Sequence, residues 1–495
     1  MRSTGEPRLI ARRSTVDRKF HSLVLATTFA LGVTGTASAE VNWRQFEGTT
    51  LNAAYFTANY IDAWWRPMAK QFQKETGIKV KMQVLQAGQI RKKQDIMLAG
   101  KDSTLDVLML QMDNRGGKLT AAGHLEDLEP YLSDSSLTPA NYDYPGDWLG
   151  GCLNTERVIK GQSHNNIVWS AQAQLLHIRK DLFKKYNVKV PTNMAELEDA
   201  AKKLTIDEDG DGKPEIYGFL SRGWGRLTTA SFASYLFNHG GSWFKTAADG
   251  TKVANINSKE SVDAFEFYGR LIREYAPKSA LSNKPPQNAA LYAAGKAAMH
   301  QELNFWHGLS DNPKKSRIAG KSTVILVPEG AGGSFPNLPT TSIAISKYSE
   351  KKKAAWLYIA WMTQKHIMLK GQNAAVPMCR RSAWDDPSYK APTPGWGSSA
   401  KHAADYGIAI AKPQAIAIGQ MRDAAGDVMN IAIRNGDRAA IQAAADDAAK
   451  LMTALVAKTE TGMDFMGVMP SLGKRMKAGV QEEPIAADGL DKLGQ

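Results

Sequence analysis

Between residues 50 and 110 the apolar residues switch repeatedly between two periods, and this switching restricts the fold more than any other feature of the chain. Leu51-Asn52-Ala53-Ala54-Tyr55-Phe56 is a short strand-like run. From Tyr60 to Thr76 the positions Ile61, Trp64, Trp65, Met68 and Phe72 recur at helical spacing. Gly77 follows, where a glycine ends a helix without strain. Ile78-Lys79-Val80-Lys81-Met82-Gln83-Val84 alternates at period two and predicts a strand. The pattern then predicts a helix over 89–98, closed by Gly100, and a strand over Leu105-Asp106-Val107-Leu108-Met109-Leu110. Strands alternating with helices predict a parallel sheet covered by helices, hence an α/β protein.

Beyond Tyr131 the pattern breaks. Residues 132–165 are rich in Ser, Asn, Gly, Pro and Asp and read as a long irregular insertion. A strand-like run from Ile167 to Ile178 follows, and Val190-Pro191-Thr192-Asn193 opens another helix. Helical patterns recur over 258–275, 286–299, 350–364 and 436–458, and strands are expected at Val324–Pro328 and Thr341–Ile345.

The N-terminus carries an address. Arg2, Arg8, Arg12, Arg13, Arg18 and Lys19 precede the apolar run Leu23–Leu31, and Ala37-Ser38-Ala39 stands before Glu40. A basic front, a short apolar stretch and small residues at a cut site make a secretory signal peptide over residues 1–39. The run is too short to anchor the chain in a bilayer. The mature protein is expected to begin at Glu40 and to reside in the periplasm. The general secretory route is the preferred reading, with Arg12-Arg13 leaving a twin-arginine route as the alternative. The formal net charge of the whole chain is +13. The mature part remains basic, which suits an anionic or neutral partner over a cationic one. No basic run with interleaved aromatics points to nucleic acid. Cys152 and Cys379 read either as a disulfide across a long loop or as two buried thiols.

Six segments in fixed order carry a resemblance. They are Phe72-Gln73-Lys74-Glu75-Thr76-Gly77-Ile78-Lys79-Val80; Leu105-Asp106-Val107 with Ala121–Leu128; Ile178-Arg179-Lys180-Asp181-Leu182-Phe183 ahead of Val190-Pro191-Thr192; Gly240-Gly241-Ser242-Trp243; Ala294–Met299; and Ile343–Ser349 before Ala354-Ala355. In this order they resemble the sugar-binding class of extracellular solute-binding proteins that serve ABC importers, akin to maltose-binding proteins. The resemblance implies the two-lobed periplasmic binding protein fold with a central ligand cleft. It places residues 40–163 and 320–372 in the N-terminal lobe and 164–319 and 373–495 in the C-terminal lobe. It also implies a monomer that captures a carbohydrate or polyol and passes it to a membrane permease. The insertion at 132–165 and the sequence His177-Ile178-Arg179, where relatives carry Tyr-Asn before Lys-Asp, are departures from the pattern.

A hydroxylated ligand needs polar groups at its rim and rings against its C–H faces. Asp113 and Arg115 follow the strand at 105–110, where open α/β sheets present ligands. They also fall where the family places a carboxylate and an arginine; a loop salt bridge or helix cap is the alternative. Phe56, beside Tyr55, ends the first strand. Trp169 and Gln172, with Gln174, lie on the run returning to the second lobe. Trp224 sits between glycines in Arg222-Gly223-Trp224-Gly225-Arg226. Glu302 and Trp306 follow the Ala294–Met299 segment, with Phe305 as the alternate aromatic. Trp396 occupies a Pro394-Gly395-Trp396-Gly397 loop that looks exposed.

Asp207, Asp209 and Asp211 read either as the opening of a calcium loop or as a solvated acidic turn, and the twelfth position of such a loop, residue 218, is Gly. No other cofactor is expected. No Gly-x-Ser-x-Gly or His-Glu-x-x-His motif is present. A secreted glycoside-active enzyme and a non-transport carbohydrate-binding module remain as alternatives.

Overall fold

The computed structural model describes residues 40–460 apart from Arg157, Val158, Lys160 and Ile410. The signal peptide expected over 1–39 and the end of the second expected lobe, 461–495, lie outside the described residues.

The period switching at the start produces the expected order. β1 (Thr50–Phe56) lies between β2 (Lys79–Leu85) and β3 (Val107–Leu110), parallel to both. A π-helical turn at Ile61–Trp65 runs into α1 (Arg66–Thr76), and α2 (Ala87–Ala99) joins β2 to β3. Gly77 ends α1 at φ 73°, with its N–H on the Gln73 carbonyl, the left-handed geometry a side chain would strain. The face carrying Trp64, Trp65 and Phe72 is buried.

The run 167–178 is two strands rather than one. β4 (Ile167–Ala171) belongs to the first sheet and β5 (Gln174–Arg179) to the second, so Gln172-Ala173 carries the chain across. The second sheet continues with β6 (Tyr217–Leu220), followed by α3 (Thr228–Asn238), the hairpin β7 (Phe244–Thr246) and β8 (Lys252–Ala254), and α4 (Lys259–Tyr275). The helix expected over 286–299 ends at Ala293, because Gly295 turns at φ 81° and Ala297–Leu303 forms β9. With β10 (Ser322–Ile325) the second sheet has the order β10-β5-β9-β6.

β11 (Thr340–Ile345) returns to the first sheet, antiparallel to β3 and β4, which completes the order β2-β1-β3-β11-β4. α5 (Lys352–Met362) packs with it, and α6 (Ile418–Arg434) and α7 (Arg438–Thr459) pack with the second sheet.

Buried apolar side chains form two cores. One takes in Val41–Leu175 and Leu338–Ala404; the other takes in Leu176–Ile318 and Ile408–Val456. Residues 376–404 thus pack with the first core, although the sequence reading places 373–495 in the second lobe. The insertion is the physical reason. Cys152 and Cys379 form a disulfide, with Cα atoms 5.8 Å apart. Arg380 donates to Asp147 and to the Tyr142 carbonyl, the latter at 2.7 Å, so the insertion and 376–384 hold each other.

Candidate functional site

Three crossing segments lie side by side between the sheets. Gln172 N–H donates to the Pro339 carbonyl at 2.8 Å and Gln174 N–H to the Asn337 carbonyl at 2.9 Å. Leu338 N–H donates to the Ile408 carbonyl at 2.8 Å, and Ile408 N–H to the Pro336 carbonyl at 3.0 Å. Narrow bonded strands of this kind leave two cores free to pivot about a few backbone torsions, the geometry of a hinge.

Charged side chains from both cores converge at this junction. Asp113 sits in the turn after β3 and is 1% exposed. Lys412, from the segment entering the second core, donates to Asp113 Oδ2, while Oδ1 has no hydrogen-bond partner among the described residues. Arg91, on the first turns of α2, donates through Nη2 to Gln111 Oε1 at 2.7 Å. The Asn114 amide, turned so that its oxygen faces the guanidinium, accepts from Arg91 Nη1 and Nη2 at 3.0 and 3.1 Å. Arg115 pairs with Asp95 and donates to Gln94 Oε1 at 2.7 Å. From the other side, Arg422 on α6 donates to Thr229 Oγ1 at 3.0 Å and to the Arg226 carbonyl at 2.8 Å. Arg222, just past β6, forms a buried pair with Glu302, Nε to Oε2 at 2.7 Å.

Burial disfavours charge on these cations. Arg91 is pushed down to about 10 by burial and by the neighbouring Arg115. Arg422 falls to about 10 through burial and the charge of Arg91. Lys412 falls to about 8 because its burial and the nearby Arg422 outweigh the pull of Asp113. For Arg222 the balance is reversed: the Glu302 charge overcomes burial and raises it. Aromatic and amide groups edge the same junction. Asn59 Nδ2 donates to the Phe305 carbonyl at 3.3 Å, and the Tyr60 and Phe305 rings are 6.1 Å apart.

Of the residues expected from sequence, Asp113 and Arg115 are in this cluster, though Arg115 is held by Asp95. Trp306 is half-buried beside Phe305, at 5.0 Å between ring centroids, and its Nε1 has no partner among the described residues. Trp224 is 44% exposed, with Lys284 Nζ 6.0 Å from the ring centroid. The others are already engaged by protein partners, Glu302 within the cluster itself. Phe56 is buried in the first core. Trp169 is fully buried, its ring 4.7 Å from that of Trp65 and 5.1 Å from that of Tyr60, because every residue of β4 is covered. Gln172 donates to Thr341 Oγ1 at 2.8 Å and holds the crossing together. Glu302 uses both oxygens on Arg222, and Oε1 also accepts from Leu303 N–H at 2.9 Å. Trp396 is not on an exposed loop. It is fully buried in the first core, where the neighbouring Gly395 packs directly on the Val324 carbonyl.

In the acidic turn, Asp207, Asp209 and Glu215 bring carboxylate oxygens within 4.8 Å of one another. Asp211 is outside this set and faces Lys213 at 3.4 Å. Asp207 accepts from Gly210 and Gly212 N–H, both at 2.8 Å, and Glu215 from Glu208 N–H at 2.7 Å. These bonds close a turn by themselves.

Arg91, Lys412 and Arg422 escaped the sequence reading. Arg91 lies in Arg91-Lys92-Lys93, which looks like a solvated helix face. Arg422 left a usable signal: it lies among Met421, Ala425 and Met429, on the buried stripe of α6. An arginine there needs a polar destination.

A family model for bacterial extracellular solute-binding proteins matches residues 57–366, more than half of the chain. The erythritol/L-threitol-binding protein of Mycolicibacterium smegmatis is 25% identical over 351 residues, covering 68% of this chain and 71% of that protein. The mannitol-binding protein of Pseudomonas aeruginosa is 25% identical over 296 residues, covering 58% of this chain and 63% of its own length. Among solved structures, an ABC transporter solute-binding protein from Agrobacterium radiobacter in complex with ribitol superposes with a TM-score of 0.69 at 24% identity, over 82% of this chain and 99% of that one. An ABC transporter solute-binding protein from Agrobacterium vitis with bound D-mannitol gives 0.67 at 23% identity, over 83% and 99%.

Proposed function

The chain belongs to the family of bacterial extracellular solute-binding proteins, and from that premise we propose that it captures a small polyhydroxylated solute outside the cytoplasmic membrane and delivers it to an ABC transporter permease. The solute class is a carbohydrate or polyol, the kind of molecule its relatives are named for. One observation carries the reading. Asp113 of the first half is buried against Lys412 of the second with a carboxylate oxygen still free to accept, beside a hinge of three bonded crossings. A ligand hydroxyl donating to Asp113 Oδ1 is held only when the halves are together, so a solute that prefers the closed form shifts the population toward it. Trp306, half-buried with an indole N–H that has no partner among the described residues, is the ring we assign to a C–H face of the solute, with Trp224 at the rim.

The solute leaves unaltered in this reading. The chain is exported by the leader at 1–39 and works in the periplasm, where the disulfide between Cys152 and Cys379 persists. The test is a thermal-shift panel on the mature protein with erythritol, ribitol, mannitol, common sugars and their acidic and phosphorylated forms, followed by recovery of the solute. A ligand bound only by the native state raises the melting temperature. A rise with at least one polyhydroxylated compound, recovered intact, is expected. A flat panel, or turnover at catalytic protein concentration, contradicts the proposal.

A further inference from the structure

Resting on that reading, we infer that the solute is an anion: a polyhydroxylated molecule bearing a carboxylate or phosphate, which is received between Arg91 and Arg422. The charge inventory of the junction carries this. Arg91, Arg115, Arg222, Arg422 and Lys412 face three carboxylates, Asp95, Asp113 and Glu302. Arg115 is matched by Asp95, Arg222 by Glu302 and Lys412 by Asp113. Among the described residues, Arg91 and Arg422 meet only neutral acceptors: the side chains of Gln111 and Asn114 for Arg91, and Thr229 Oγ1 and the Arg226 carbonyl for Arg422.

The two guanidiniums come from opposite halves, Arg91 on α2 and Arg422 on α6; Arg91 is hydrogen-bonded to Gln111 and Asn114 on either side of the Asp113–Lys412 contact, and its charge reaches Arg422 and lowers that group's proton affinity. Closing the halves therefore brings two like charges together, Arg422 buried and Arg91 half-buried. A guanidinium cannot shed its proton at neutral pH to escape this. Burying such a charge without a counter-charge is costly. An anionic group between them removes the penalty, and the planar forks suit bidentate contact with a carboxylate or phosphate. A neutral polyol offers oxygen lone pairs but no charge. Asp113 Oδ1 stays available for a hydroxyl on the same molecule, which combines charge recognition with hydroxyl recognition in one site.

The test is titration calorimetry of the mature protein with matched series built on ribitol and on mannitol: the neutral polyol, the corresponding aldonate, and the terminal phosphate, each at 20 and 500 mM NaCl. At least one anionic member is expected to bind tenfold or more tighter than its neutral parent. Aldonate and phosphate arms identify which anion is recognised. High salt should narrow the preference, and Arg91→Gln and Arg422→Gln should each abolish it. Arg422→Lys, which keeps the charge, should retain part of it and guards against loss through misfolding. Equal or tighter binding of the neutral polyol overturns the inference while leaving the proposed function in place. So does an anionic preference that survives both Gln variants. Failure of every polyhydroxylated compound, neutral and anionic, overturns the proposed function along with it.

Discussion

Two buried polar clusters in this molecule behave in opposite ways. At the junction of the halves, Arg91 and Arg422 hydrogen-bond only to neutral acceptors among the described residues. On the second sheet, His177 and His300 are direct cross-strand partners of β5 and β9, their rings 5.7 Å apart, with His307 6.1 Å from His177 and Tyr292 5.2 Å from His300. Both ring nitrogens of His177 and His307, and Nε2 of His300, lack hydrogen-bond partners among the described residues. Burial pushes His300 down to about 3 and His307 to about 4, and holds His177 well below the usual range with further repulsion from its two neighbours. The histidines resolve their burial by staying neutral and packing as aromatic rings. The arginines have no such exit. Buried polarity alone therefore does not distinguish the two clusters; whether the group can shed its charge does.

Acid should break the histidine cluster first, and this is the largest effect expected. A histidine whose folded value is depressed binds protons in the unfolded chain but not in the native one below pH 6.5, so stability present at neutral pH is lost as pH falls toward 4. The loss from the cluster is on the order of 5 kcal/mol by pH 4, since each tenfold difference in proton affinity between the folded and unfolded chain is worth roughly 1.4 kcal/mol. Urea unfolding at pH 7 and pH 4.5 measures it, and replacing His300 and His307 by Gln should flatten the slope. Equal slopes in the two proteins would mean that the histidines titrate freely in the native state.

Two tryptophans sharpen the contrast between core and junction. Trp396→Ala should cost about 3–5 kcal/mol of stability, as removal of a fully buried indole does, read from the urea midpoint. Trp306→Ala should weaken solute binding about tenfold with little change in melting temperature, as loss of a central aromatic anchor does. The reverse pattern would place the ligand-facing ring in the wrong half of the contrast.

Lys412 gives the smallest effect and the subtlest test, because it is the one junction cation in the cluster that titrates near physiological pH. It faces Asp113, Arg91 and Arg422. Its folded value of about 8 is below that of the unfolded chain, so the native state loses its proton first as pH rises. An anionic solute that needs the charge should bind several-fold more weakly at pH 9.5 than at pH 7, and Lys412→Arg should remove most of that dependence. A pH-independent affinity in the parent protein would detach Lys412 from the solute.

Much of the fold was readable because residues 50–110 pack a regular sheet whose two periods are set by local burial. What stayed hidden depended on tertiary partners. Nothing local tells Ile167–Ile178 to divide between two sheets, since both parts are apolar and extended; only the crossings opposite Gln172 and Gln174 decide it. Likewise Ala297–Leu303 continues a helix-compatible stretch until Gly295 is seen to turn. At the junction, the positions of Asp113 and Arg115 were legible from their place after a strand end. Trp169 and Trp396 were misplaced because a tryptophan near a glycine or a strand end looks the same whether it faces solvent or core. Arg91, Lys412 and Arg422 come from segments over 300 residues apart at the extremes, and their significance is a net charge that only the assembled junction defines.

Small-angle scattering of the mature protein, with and without the solute that binds best in the panel, tests most directly whether capture occurs between the two halves. A smaller radius of gyration on saturation, absent in an Asp113→Ala variant that retains its fold, is the predicted result. A radius unchanged by a solute bound at saturation would contradict closure of the halves around it.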